Sequence, residues 1–130
     1  MKTGRVVLIL GDQLDRSSPA LIRCDKDNDL LLMIESRQES ERIWSHKART
    51  TLFLSAMRHQ ALWLKNKGYR LEYIDIHHPH AVSFANALSE TIKAHTPESI
   101  LMVEAGEHGV QEIINKTCHQ HGIALTILED

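Results

Sequence analysis

The sequence predicts an α/β domain with a doubly wound, flavodoxin- or Rossmann-like sheet: five parallel strands in the order 3-2-1-4-5, with helices on both faces. Three observations point there. Five segments are rich in aliphatic residues, several as near-continuous runs, the pattern of strands covered on both sides. Beyond the second strand, strands alternate with stretches of helical period, and such alternation builds a helix-layered parallel sheet. Right-handed crossovers then leave few topologies, and this order puts a switch point between strands 1 and 4.

The expected strands are Arg5–Leu10, Asp29–Ile34, Arg70–Ile76, Ser99–Glu104 and Ala124–Leu128. The connection from the first to the second has room for one short helix, near Ser18–Arg23. The strongest helical signal runs from about Lys47 to Lys67, with Thr50, Phe53, Met57, Ala61 and Leu64 as an inward stripe. Gly68 stands where a left-handed cap is wanted. A second helix is expected over Ala81–His95, with Val82, Phe84, Ala85, Leu88 and Ile92 inward and Pro97 as a stop signal. A third is expected over Gly109–His121, with Val110, Ile113, Ile114 and Cys118 inward, ended by Gly122.

A chain of 130 residues makes one domain, residues 1–130, which can bury about two-thirds of its unfolded surface without staples. The final "LTILED" completes the fifth strand with little left to cover that edge, so the domain is expected to belong to a longer chain. Hydrophobic residues make up 42% and charged residues 25%, and the net charge is −2. Non-specific nucleic-acid binding is mostly charge neutralisation, so this chain alone is expected to bind DNA or RNA poorly. Two distant cysteines, no leader-like N-terminus and no long apolar run imply a cytoplasmic protein with free thiols and no membrane partner.

In open α/β sheets the ligand crevice lies at the carboxyl ends of the strands, at the switch point. There "VVLILGDQLD" delivers Gly11, Asp12 and Gln13, and the fourth strand delivers Glu104 and Glu107. Glu35 leaves the neighbouring second strand, followed by Glu39, Arg42, Trp44, His46 and Lys47. Asp15, further along, reads as a turn residue. Carboxylates and an amide converging on one rim suit an uncharged ligand rich in N–H, carbonyl and hydroxyl groups. No three-glycine fingerprint or Walker lysine is present, which argues against a dinucleotide or phosphate cradle. The histidines of "HHPH" and "CHQH" read as loop and helix-end polar residues, so no metal site is expected. No nucleophile–base pair is recognisable and no catalytic residue is assigned.

The segments "LILGDQLD", "MIESRQESERIWSHKART", "LFLSAMRHQALWLKNKGYRLEYI" and "VEAGEHGV", in this order, resemble the N-terminal domain of the photolyase-related proteins. These are the bacterial cryptochrome and (6-4) photolyase group that carries an iron–sulfur cluster. The resemblance runs from Val6 to about Asp130. It implies an antenna domain binding 6,7-dimethyl-8-ribityllumazine. FAD, the iron–sulfur cluster and DNA would be held by a C-terminal helical domain of the same protein. By resemblance Asp12 and Gln13 line the pigment pocket, Glu35 and Glu39 are its acidic positions, and Lys47 is a recurrent lysine. Arg42 stands where relatives can carry tyrosine, and Ser45 replaces a histidine beside His46. Full-length relatives are DNA photolyases, whereas this chain alone is not expected to be catalytic. Two readings stand beside this one. The first is a stand-alone flavodoxin-like nucleotide- or metabolite-binding module. The second is a small hydrolase pairing Asp12 with Glu107, which needs one raised carboxyl pKa.

Overall fold

The computed structural model describes residues 4–11, 13–14, 16–38, 47–106 and 108–129, with side chains in the long helix from Leu54 onward. Its strands are β1 (Arg5–Leu8), β2 (Leu30–Ile34), β3 (Leu71–Ile74), β4 (Ser99–Val103) and β5 (Ala124–Leu128). The helices are α1 (Pro19–Arg23), α2 (Lys47–Asn66), α3 (Phe84–His95) and α4 (His108–Gln120), with a 3-10 turn over Pro79–Val82. The sheet is parallel throughout, in the order β3-β2-β1-β4-β5, as expected. β1 is central, with Val6 opposite Leu30 on one side and Ile100 on the other.

Successive strand residues point to opposite faces, and the core divides accordingly. Val6, Leu8, Leu32, Ile34, Ile100 and Met102 meet Phe84, Leu88 and Ile92 of α3 and Val110, Ile114 and Cys118 of α4. Val7, Ile9, Leu31, Met33 and Leu101 meet Ala20 and Leu21 of α1 and Met57, Ala61 and Leu64 of α2. Thus β1, β2 and most of β4 are buried on both faces, which is why they read as unbroken aliphatic runs. The edge strands are wetter: β3 is mostly half-buried, and β5 exposes Ala124, Thr126 and Ile127.

Both helix-ending glycines form the same cap. Gly68 has φ +91° and Gly122 φ +63°. The Gly68 N–H donates to the Lys65 carbonyl and the Tyr69 N–H to Leu64. In α4 the Gly122 N–H donates to His119 and the Ile123 N–H to Cys118. These are paired bonds of the Schellman type, which satisfy carbonyls the helix cannot. α3 begins later than its sequence pattern implies. Ser83 is extended and its hydroxyl accepts from the Asn86 N–H at 3.1 Å, so the helix starts at Phe84. Val82 therefore lies outside it and is 54% exposed, and Ala87 takes the inward position in place of Ala85. The expected inward positions Thr50 and Phe53 lie outside the described side chains, and Ile113 packs against the core only partly buried.

Candidate functional site

Two polar assemblies stand at the carboxyl ends of the strands. The first joins β1 to β4 across the switch point. Gln13 leaves the β1 exit, anchored by its N–H to the Leu10 carbonyl at 2.9 Å. Its Nε2 donates to the carbonyls of Val103 at 3.1 Å and Glu104 at 2.9 Å. Both amide hydrogens are thus spent on β4, and any ligand contact at this residue falls to Oε1, an acceptor. Glu104 is exposed, and Gly11 at the β1 exit is half-buried. Behind them, buried Gln111 of α4 accepts from the Ala105 N–H at 2.8 Å and donates to Asn115 at 2.9 Å. Gln111 thereby replaces the strand partner that Ala105 has lost past the end of β4.

The second assembly is built on Glu35, which follows β2 directly. Met33 faces the α1/α2 layer, so by strand parity Glu35 does too. There α2 presents Arg58, whose Nε and Nη2 donate to Oε2 and Oε1 of Glu35, each at 2.8 Å. The Ile76 N–H donates to Oε1 at 2.8 Å, and the Tyr73 hydroxyl donates to Oε2. The Glu35 side chain is fully buried, while that of Arg58 is half exposed. Burial pushes the Glu35 carboxyl up, but the donors from Arg58, Tyr73 and Ile76 outweigh it and hold it below its usual range. Burial, then the neighbouring Glu35 carboxylate, pushes the Tyr73 phenol up, so it stays a neutral donor. Nearby, Arg37 Nη1 donates to the Ile76 carbonyl at 2.7 Å and to His78 at 3.2 Å.

The structure thus separates residues that the sequence placed on one rim. Gln13 and Glu104 meet where the chain leaves β1 and β4. Glu35 is enclosed one strand further out, clamping α2 to β3 with every strong donor already supplied by protein. Asp12, Glu39, Arg42, Trp44, His46 and Glu107 lie outside the described residues, as does the Lys47 side chain at the start of α2. The acid–base pairing of Asp12 with Glu107 therefore also lies outside them. A groove of about 560 Å³ runs along the outer side of the Glu35 clamp, lined by Leu54, Ser55, Arg58, His59, Ile76 and His77 among others. Among the described residues, none that lines this groove comes from the exits of β1 or β4.

Sequence reasoning missed Arg58, Tyr73, Arg37 and Gln111. Arg58 sits within the quoted "LSAMRH", next to the core residue Met57, but nothing local says that α2 will lie over the second strand's odd face. Among the described residues, no three His, Cys, Asp or Glu side chains are grouped to hold a metal ion. In the "HHPH" segment, His78 Nδ1 accepts from the His80 N–H at 3.0 Å. No helix among the described residues is long and apolar enough to cross a membrane.

Comparison with known proteins agrees with this fold. The family model for "deoxyribodipyrimidine photo-lyase-related protein" matches residues 7–130. A (6-4) photolyase of Agrobacterium fabrum (strain C58 / ATCC 33970) is 35% identical over 127 residues. That match covers 97% of this chain and 25% of the relative, so the chain spans about a quarter of that protein's length. With an α/β sheet of the expected order and a family match over almost its whole length, the chain belongs to the deoxyribodipyrimidine photo-lyase-related protein family.

Proposed function

We propose that this domain binds an antenna pigment, 6,7-dimethyl-8-ribityllumazine, in the crevice at the exits of β1 and β4. It does so as part of a longer photolyase-related flavoprotein. In that protein FAD, an iron–sulfur cluster and the DNA contacts belong to a helical C-terminal region, and the whole serves light-dependent DNA repair or photoreception. Family membership supports the setting. The observation that carries the ligand reading is the Gln13 bridge, which spends its donors on Val103 and Glu104 and keeps an acceptor for the crevice.

The donor set fits such a group. A lumazine is uncharged, carries a pyrimidinedione edge and a ribityl chain, and brings N–H and hydroxyl groups that need acceptors. Gln13 Oε1 and the Glu104 carboxylate are acceptors, and a pyrophosphate would be repelled by the same acid. When bound, the pigment supplies light absorption, and the protein supplies position and a screened environment. Glu35 serves this reading as a frame: it locks α2 to β3 and holds the rim's geometry while the β1–β4 exits make the contacts.

The test is a difference absorption spectrum of the lumazine with the 130-residue chain. A saturable shift is expected. Gln13→Leu should weaken it roughly tenfold, the equivalent of one lost hydrogen bond and its unpaired partners. A spectrum unchanged by the folded chain would overturn the assignment.

A further inference from the structure

A net charge of −2 averages over a surface on which the cations are not evenly spread. The Arg16 guanidinium lies over the Trp63 ring, 4.4 Å from its centroid, and the Lys67 ammonium lies 5.6 Å from the same ring. Lys26 sits 4.7 Å from the Tyr69 ring, and its Nζ also donates to the Lys67 carbonyl at 2.9 Å. Three basic side chains from separate stretches of chain thus form one rail along α2 and its C-terminal cap. All three are exposed.

Asp25 and Asp29 of this region have hydrogen-bond partners of their own. Asp25 accepts from the Asp27 N–H at 3.0 Å and from Asn28 Nδ2 at 2.7 Å, inside its own turn. Asp29 is buried against Arg5 at 2.9 Å. Asp25 and Asp27 are both exposed and remain as the opposing charges of that loop. Aromatic faces hold these cations in place, which lowers the entropy lost when they engage an anion. Trp63 is covered by its own cations, so it is not a platform for stacking bases. The surface therefore suits the phosphates of a polyanion and not its bases.

We infer that this rail docks the phosphodiester backbone of duplex DNA without sequence preference. Lys26, Lys67 and Tyr69 lie where strands begin, so that part of the rail stands at the opposite end of the sheet from the crevice, while Arg16 reaches Trp63 from the connection that follows the β1 exit. DNA and pigment can then be held at once. The choice of DNA over other polyanions rests on the photolyase reading, and the contact adds a second, lesion-independent hold to one made elsewhere in a longer protein.

The experiment titrates a fluorescein-labelled undamaged duplex with the 130-residue chain across a range of salt. Weak binding is expected, with log K falling against log salt with a slope of about −3, for three or four neutralised phosphates. Lys26→Glu/Lys67→Glu should weaken binding more than tenfold and flatten the slope by about two. Lys93→Glu/Lys116→Glu makes the same change in net charge at exposed positions on α3 and α4, and should leave most of the affinity. Lys26→Gln/Lys67→Gln gives the milder version if the reversal unfolds the chain, as circular dichroism would show. Equal loss in the two glutamate variants, or no salt-dependent binding by the wild type, would overturn the proposal. Equal binding to vesicles containing phosphatidylserine would overturn the choice of DNA. Lumazine titration of the same variants keeps the two readings apart, since pigment binding should survive whatever the rail does.

Discussion

Glu35 shows how much depends on one side chain. Its carboxylate is fully buried and accepts from a guanidinium, a phenol and a backbone N–H. Removing it leaves Arg58 and Tyr73 with unpaired donors, although half-exposed Arg58 can turn to water. Glu35→Ala should therefore cost about 3 kcal/mol, the low end for a broken buried pair, as read from urea midpoints at neutral pH. The pH dependence has a definite sign. A carboxyl held below its usual range binds protons more readily in the unfolded chain. Its stabilisation is complete above the ordinary glutamate pKa of about 4.3 and is lost as the pH falls through the lower folded value. Urea midpoints should fall with acid in the wild type and fall less in Glu35→Gln. The thiols point the other way. Burial, with Asp29 adding to it, pushes Cys24 up to about 11, and burial alone pushes Cys118 to about 11. Both should react with a disulfide reagent at pH 7 far more slowly in the folded chain than in urea, Cys118 slowest of all.

Among the elements, the helix ends vary most in how well residue and backbone agree. Gly68 and Gly122 take left-handed conformations that glycine adopts freely, and a Cβ at either would meet nothing within 4 Å. The cost of Gly68→Ala is then conformational alone, about 1 kcal/mol. α3 closes on Thr96 with φ +41°, a conformation that strains a β-branched residue. Thr96→Gly should raise the melting temperature by several degrees, about 1 kcal/mol for a domain of this size. The sequence announced the glycine caps because only glycine suits that backbone. It did not announce Thr96, since Pro97 already offered a sufficient stop. Nor did it separate Val82 from the third strand's following helix, because the apolar period continues through Ser83 and only the cap geometry breaks it.

For the whole molecule, the order of the sheet was legible because aliphatic runs, helical periods and crossover handedness constrain one another. The meeting of the β1 and β4 exits was legible in the same way: topology alone brings them together, and Gln13 does meet Glu104. What sequence could not reveal was partnership across layers. Glu35 read as one more rim acid because its parity toward α2 matters only once α2 lies over it, and Arg58 was given no role. The distribution of charge was hidden similarly, since Arg16, Lys26 and Lys67 are far apart in sequence and meet only around Trp63 and Tyr69.

The pigment reading makes these scales depend on one another: the Glu35 clamp frames the rim, the β1 and β4 exits contact the ring, and the sheet sets their spacing. The most direct measurement is the steady-state anisotropy of lumazine emission titrated with the 130-residue chain and with its Gln13→Leu and Lys93→Glu variants. Saturable binding is predicted for the wild type and for Lys93→Glu, weakened roughly tenfold in Gln13→Leu. Anisotropy that stays at the free-pigment value with folded wild-type chain, or binding equal in all three proteins, would contradict it.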